Sequence, residues 1–198
     1  VDWPVSRQML DAGFTDSYRA IHPDPSQHQE HDLWDADAER LTYRIDYLYS
    51  HGKGITPEAS RMMNTHNNTW ASDHPAVLSS FNLGAPDIGI ISYNILEGFK
   101  NARSERFPAG SERQAAVSDW LAEQAPAIVG FQELNGYTEE RLAEESRAWG
   151  HGYAATVKEG GYIVGLTSRE PIAVIERHLD GMHHGSLHAR TMGIDCFV

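Results

Sequence analysis

The sequence contains little that could cross-link the protein or anchor it in a membrane. Among 198 residues there is one cysteine, Cys196, which excludes an internal disulfide framework and a cysteine-rich zinc site. No apolar run approaches the roughly 20 residues needed to span a bilayer. Basic residues are also scarce, since 16 Lys and Arg stand against 28 Asp and Glu, for a formal net charge of −12. Without a basic arm or stripe, the chain is poorly suited to hold a long polyanion by charge alone.

The rest of the composition is that of an ordinary globular protein. Apolar residues make up 40% and charged residues 22%, which argues against wholesale disorder. The length fits one domain or two part-domains. The chain begins at Val1 and stops at Val198 inside a predicted apolar strand, so we expect a segment cut at both ends. The sequence leaves open a signal peptide, the cellular compartment and the oligomeric state.

Strand patterns outnumber helix patterns along the chain. Runs rich in strand-forming residues predict strands at 43–49, 76–81, 88–94, 127–131, 153–157, 162–167, 172–177 and 189–198. Helices are predicted at 6–12, at 111–124 behind a Ser-x-x-Gln capping box, and from a Thr138 cap to about residue 149. This mixture predicts an α/β or α+β sandwich rather than a helix bundle.

Three carboxylate or amide side chains lie next to predicted strands, where open sheets usually build their sites. Asn94 and Glu133 each follow an apolar strand, and Asp73 precedes another. Such oxygen donors suit Mg²⁺, Mn²⁺ or Ca²⁺ rather than zinc. The alternative is structural, because Asn, Asp and Glu at strand ends commonly cap turns.

One histidine has the neighbours that acid–base chemistry needs. His74 follows Asp73, and Asp46, on the predicted strand 43–49, is available to orient the imidazole ring. In the structural alternative, Asp73 and His74 form only a turn, and Asp46 pairs with Arg44 on the strand surface.

Five short motifs can be taken together. They are the strand end around Asn94, Gln132-Glu133, Gly165-Leu166-Thr167-Ser168-Arg169-Glu170-Pro171-Ile172, Arg44-Ile45-Asp46-Tyr47-Leu48, and Ser72-Asp73-His74. As a set they resemble the endonuclease/exonuclease/phosphatase superfamily, the DNase I-like metal-dependent phosphoesterases. The stretch Gly13-Phe14-Thr15-Asp16-Ser17-Tyr18-Arg19 is similar to a bacterial branch of that superfamily, whose members are often exported.

The resemblance implies a fold, an activity and a set of roles. The fold would be a four-layer α/β/β/α sandwich of DNase I type, incomplete in this chain. The activity would be hydrolysis of a phosphoester, in a small molecule, a lipid headgroup or a nucleic acid, with Mg²⁺ or else Mn²⁺ or Ca²⁺. Asn94 and Glu133 would hold the metal, Asp73 would serve a second metal or the nucleophile, and Asp46 would orient the catalytic His74.

The order of the motifs departs from that of the superfamily. Residues 1–81 carry the family's C-terminal motifs, residues 88–198 carry its N-terminal motifs, and 82–87 read as a linker. The central motifs, a His-bearing strand and Gly-Asp-Phe-Asn, are missing. We favour a fragment spanning two tandem copies over a single permuted domain, and expect weak or no activity from this segment. The alternative function is a non-catalytic binding module that retains part of the fold.

A histidine-rich stretch invites a second metal hypothesis. His178, His183, His184 and His188 fall within eleven residues, and the last two have helical spacing. Gly181 and Gly185 favour a turn instead, and no Glu completes a zincin motif. We therefore prefer loop histidines beside a phosphate site to a zinc centre.

Overall fold

The structure is a computed structural model that describes residues 4–24, 44–52, 54–64, 71–83, 88–100 and 110–198. In chain order, the elements of these residues are α1 (Pro4–Asp11), β1 (Thr15–Asp16), α2 (Ser17–Ile21), β2 (Tyr49–Ser50), β3 (Thr56–Met63), β4 (Ala76–Asn82), β5 (Ile88–Asn94), a 3-10 turn (Glu97–Phe99), α3 (Ser111–Gln124), β6 (Ile128–Gln132), α4 (Glu139–Ser146), a second 3-10 turn (Arg147–Trp149), β7 (Tyr153–Thr156), β8 (Gly165–Ser168), β9 (Ala173–His178), β10 (Ser186–Thr191) and β11 (Ile194–Phe197). Among the described helices, none is long and apolar enough to cross a membrane.

A six-stranded mixed sheet forms the centre, in the order β3-β4-β5-β6-β8-β7. β5 and β6 run parallel, and the other neighbours are antiparallel. β4 pairs with β5 across the chain segment predicted as a linker, with Val77 opposite Ser92. Asn82, predicted as the first linker residue, ends β4, and the strands before and after the remaining linker residues belong to one sheet.

The two faces of this sheet are covered differently. On one face, Trp120 of α3 meets Tyr93 of β5 edge-on, with ring centroids 5.5 Å apart. On the other face, Gly130 of β6 lies under Val198, and a Cβ at Gly130 would sit 3.3 Å from Val198 Cγ2. Because Gly130 has no side chain, the sheet β11-β10-β9 can approach the central sheet closely. Helices on one face and a second sheet on the other confirm the predicted α/β class.

The second layer has two parts with a gap between them. One part is the three-stranded sheet of β9–β11, and the other is the N-terminal unit of α1, α2, β1 and β2. Ser17 of α2 ties this unit to the central sheet, because its hydroxyl lies 2.7 Å from that of Ser79 on β4. The gap is a cavity of about 650 Å³ lined by both parts and by β5 and β6.

Two sequence predictions about local structure are confirmed. The side chain of Thr138 caps α4 by accepting a hydrogen bond from the Arg141 N–H at 3.2 Å. The helical stretch continues through a 3-10 turn to Trp149 and ends where Gly150 adopts a left-handed φ of 83°.

Three other sequence predictions about local structure are wrong. Residues 44–48 of the predicted strand 43–49 form no strand. The last residue of that run, Tyr49, belongs to the two-residue strand β2, which pairs with β1. The predicted strand 189–198 belongs to a hairpin, because Met192 and Gly193, at φ 54° and 76°, make a two-residue turn between β10 and β11. The capping box at Ser111 is absent, since Gly110 is the N-cap of α3 and no side chain caps that end.

A buried ion pair explains why residues 44–48 do not form the predicted strand. Arg44 Nη1 donates to Asp16 Oδ1 at 2.9 Å, and Arg44 Nη2 pairs with Asp16 Oδ2. Asp16 also caps α2 by accepting from the N–H groups of Tyr18 and Arg19. The two side chains are only 5% and 10% exposed, so a partner for each charge decides the path of this segment.

Arg44→Met should destabilise the protein strongly. Removing one partner leaves a buried carboxylate at Asp16, which typically costs about 3–5 kcal/mol. Urea unfolding of the two proteins measures the difference. The matched control is Arg177→Met, which breaks an ion pair with Glu139 whose side chains are 42% and 43% exposed, and should cost about 1 kcal/mol or less. An equal loss of unfolding free energy in the two variants would contradict the structural importance of the Asp16–Arg44 pair.

Candidate active site

The predicted histidine and its predicted partner lie in contact. His74 Nδ1 is 2.7 Å from Asp46 Oδ2, and the side chains are 19% and 13% exposed. The backbone leading to Asp46 is fixed by Tyr47, whose hydroxyl donates to the Arg44 carbonyl at 2.7 Å. A carboxylate on Nδ1 sets the orientation of the ring and the tautomer, so that proton exchange with a substrate falls to Nε2.

Ser72 joins this pair to the end of β5. Its hydroxyl donates to the Asn94 carbonyl at 2.6 Å and accepts from the His74 backbone N–H at 3.1 Å. Ser72 is fully buried, so the hydroxyl has little competition from water. The turn that carries His74 is therefore attached to the strand that ends in Asn94.

Asn94 and Glu133 come together because β5 and β6 are parallel and end side by side. Asn94 Nδ2 donates to Glu133 Oε1 at 3.2 Å. The backbone holds the amide oxygen of Asn94 and the second carboxylate oxygen of Glu133, since Leu96 N–H donates to Asn94 Oδ1 at 3.0 Å and Glu97 N–H donates to Glu133 Oε2 at 2.9 Å. Both oxygen groups are thus fixed at the carboxyl ends of the two strands.

The turn that holds these oxygens is strained. Leu96, Glu97 and Phe99 have φ of 55°, 54° and 64°, in the left-handed region that non-glycine residues rarely adopt. Gly98 completes the turn at φ 60°, and a Cβ there would collide with the Asn135 backbone. Such strain persists only where the surroundings enforce it and is concentrated at functional sites.

A buried arginine lies beneath the turn. Arg113 of α3 is 2% exposed and donates through Nη2 to the Ile95 carbonyl at 3.1 Å and to the Leu96 carbonyl. Burial lowers the pKa of its guanidinium, and the negative charges of Asp73, Glu97 and Glu133 act in the opposite direction. The charge of Asp73 thus acts on the same guanidinium as those of Glu97 and Glu133.

Sequence reasoning missed three residues of this site. Arg113 lies in the first turns of a helix and looks like an ordinary surface position there. Tyr162, whose hydroxyl donates to Glu97 Oε1 at 3.2 Å, comes from the segment between β7 and β8. Glu97 is the third: its backbone N–H donates to Glu133, and its carboxylate accepts from Tyr162. The nearest sequence signal is Gly98, which indicates a tight turn after Asn94 but no contact.

The donors brought together fit a hard cation. Within the described ranges, no group of three or more His, Cys, Asp or Glu side chains could hold a metal. Mg²⁺, however, is commonly bound by one or two carboxylates with several waters completing its shell. The carboxylate of Glu133 and the amide oxygen of Asn94 retain lone pairs beyond the hydrogen bonds they accept. The roles of these residues, and those of Asp73, Asp46 and His74, stay predictions.

The four histidines separate into different settings. His183 and His184 lie against the Tyr162 ring, with centroid distances of 5.2 and 5.4 Å, and 5.0 Å from each other. His188 instead contacts Asp195 at 2.9 Å, and His178 faces Glu176 at 3.9 Å. His184 and His188 thus have different partners. His183 and His184 are loop residues, as predicted, whereas His178 ends β9 and His188 lies within β10, so the prediction of loop histidines is wrong for those two.

Comparison with solved structures finds several that are similar to part of this chain. No family model matches the sequence, and no curated protein matches it. An AP endonuclease from Archaeoglobus fulgidus is 25% identical at a TM-score of 0.34, over 43% of this chain and 34% of that one. A humanized TDP2 from D. rerio is 15% identical at a TM-score of 0.32, over 55% of this chain and 44% of that one. The chain thus spans less than half the length of either protein.

Proposed function

We propose that the protein is a divalent-metal-dependent phosphoester hydrolase. The observation that carries the proposal is a continuous series of contacts, from Asp46 to His74, from His74 through Ser72 to Asn94, and from Asn94 to Glu133. This series of contacts combines an oriented imidazole with oxygen donors for a cation. Both promote hydrolysis of a phosphoester, because proton transfer and offset of phosphoryl charge each lower its barrier.

His74 would handle the proton. With Nδ1 held by Asp46, Nε2 can take a proton from attacking water or donate a hydrogen bond to a phosphoryl oxygen. Asp46 stabilises the imidazolium that forms in the first case. The low exposure of both side chains limits competition from bulk water.

Glu133 and Asn94 would hold the metal, with Asp73 serving a second metal or the water nucleophile. When bound, Mg²⁺ supplies positive charge that polarises the phosphoryl oxygens. The backbone N–H groups of Leu96 and Glu97 keep the two oxygen donors oriented. Arg113 provides one positive charge against the three carboxylates that act on it, so the group of four favours an added cation.

The two sequence segments would act as one permuted unit rather than as halves of separate tandem sites. Supporting this, β4 and β5 pair across residues 82–87, and Ser72 from the first segment binds Asn94 from the second. Any site formed by His74 and Glu133 then lies within a single chain. The acidity of the chain favours a small or lipid-headgroup ester over a long nucleic acid.

The protein should cleave a phosphoester in a reaction that needs Mg²⁺ and stops when a chelator is added. The 198-residue chain is incubated with a phosphomonoester, a dialkyl phosphodiester, a choline phospholipid and a short oligonucleotide, each with Mg²⁺ or with EDTA, and phosphate or alcohol release is measured. Slow turnover of at least one substrate in Mg²⁺ alone is the expected result, because the chain joins the Asp46–His74 pair to Glu133 while its sequence lacks the central motifs of the superfamily. Binding of Mg²⁺ without turnover of any of them would contradict hydrolysis and indicate the non-catalytic binding module instead.

A further inference from the structure

Two surface loops meet beside the Asn94–Glu133 site. The first, residues 157–164, joins β7 to β8, and the second, residues 179–185, joins β9 to β10. They pack tightly, because a Cβ on Gly185 of the second loop would lie 2.8 Å from Val157 Cγ2 of the first. Gly185 also has φ 82°, so the close approach and the backbone both require glycine there.

The junction of these loops gathers nitrogen and hydroxyl donors. His183 and His184 lie against Tyr162, with ring centroids within 5.4 Å, and Lys158 Nζ donates to the His183 carbonyl at 2.8 Å. Both histidines are exposed, so their rings can contact a ligand in solution. An imidazole N–H donates to a phosphate oxygen in either protonation state, and an ammonium group adds a full charge.

Tyr162 connects this cluster to the candidate metal residues. Its hydroxyl donates to Glu97 Oε1, and the Glu97 N–H donates to Glu133 Oε2. The histidine pair is therefore linked to the carboxylate that would hold the metal by a ring contact with Tyr162 and two hydrogen bonds. A ligand whose reacting phosphate lies at Glu133 would extend toward His183 and His184.

We propose that Lys158, His183 and His184 form a second phosphate subsite, and that the substrate carries another phosphate group close to the one that is cleaved. This rests on the proposed function, since it names the class of substrate for the same site. An otherwise acidic chain places three nitrogen donors at one junction, which suits a bisphosphate better than a neutral ester.

The subsite can be tested without turnover by measuring the binding of two nucleotides that differ by one phosphate group. Isothermal titration compares adenosine 3′,5′-bisphosphate with adenosine 5′-monophosphate, in Mg²⁺ and in EDTA, for the wild type and for the double variant His183→Asn/His184→Asn. The wild type should bind the bisphosphate about tenfold more tightly, as expected for added charged hydrogen bonds. The double variant should lose this preference and keep its affinity for the monophosphate.

The matched control is His51→Asn, an exposed histidine whose ring centroid lies 4.8 Å from that of Phe14 in the N-terminal unit, and it should keep the preference. A 5′-phosphorylated dithymidylate in a further titration separates the sources of the second phosphate. A preference shared by this probe supports a nucleic-acid source, and one confined to the bisphosphate supports a small molecule.

The result also separates the subsite from the proposed function. If Mg²⁺ has no effect on either nucleotide but the double variant loses the preference, the subsite stands and the metal site does not. If the double variant keeps the full preference for the bisphosphate, the subsite is overturned whatever Mg²⁺ does.

Discussion

His74→Ala should lower the rate of phosphoester hydrolysis by about 10²–10⁴-fold, the usual contribution of a positioned general acid or base. The structure gives the reason, because Asp46 holds Nδ1 at 2.7 Å and thereby aims Nε2 away from the carboxylate. Asp46→Asn keeps the size of the partner but removes the charge that stabilises an imidazolium and fixes the tautomer. We expect it to lower kcat in the same direction, with little change in KM.

The measurement is steady-state hydrolysis of whichever ester the wild type cleaves, with Mg²⁺ binding recorded in parallel. Binding of the metal should be unchanged in His74→Ala, since no donor to the metal is lost. His178→Ala serves as the control, because that imidazole is half exposed on β9 and faces Glu176. A His74→Ala variant with wild-type kcat would remove the assigned mechanism even if hydrolysis itself is real.

The sequence predicted those parts of the fold that depend on local pattern. The apolar runs at 88–94 and 127–131 became β5 and β6, because such runs bury well in the middle of a sheet. The strand predicted at 43–49 failed for a non-local reason. The residue pattern favours a strand, but the buried charge of Arg44 pairs with Asp16, which lies 28 residues away.

The same distinction applies to the candidate site. Asn94 and Glu133 could be found from sequence because they directly follow buried strands, and parallel strands bring their ends together. Arg113 and Tyr162 could not, since each reaches the site from an element whose placement depends on the tertiary fold. Neither has a neighbour in sequence that marks it as different from a surface residue.

Glu133→Gln should weaken Mg²⁺ binding by at least about 100-fold. Even residues that only support a metal ligand are worth 10–100-fold in affinity, and a ligand itself contributes at least as much. The substitution keeps the shape of the side chain and leaves an amide oxygen that can still accept from the Glu97 N–H, but the hydrogen bond from Asn94 Nδ2 is lost because the Gln NH₂ replaces the second oxygen. The loss therefore reports the missing charge together with this hydrogen bond, while the contact with the turn at Glu97 is kept.

Titration with Mn²⁺ followed by electron paramagnetic resonance, with Mg²⁺ as competitor, measures this affinity directly and needs no substrate. Glu144→Gln is the matched control, because it makes the same chemical change at an exposed position on α4 and should bind as the wild type does. Unfolding of both variants in urea should coincide with the wild type. If Glu133→Gln binds the cation normally while Asp73→Asn does not, the cation lies at Asp73, and the pairing of Asn94 with Glu133 is structural. That result would leave the Asp46–His74 pair intact as the proton-transfer group, because its contacts do not pass through Glu133.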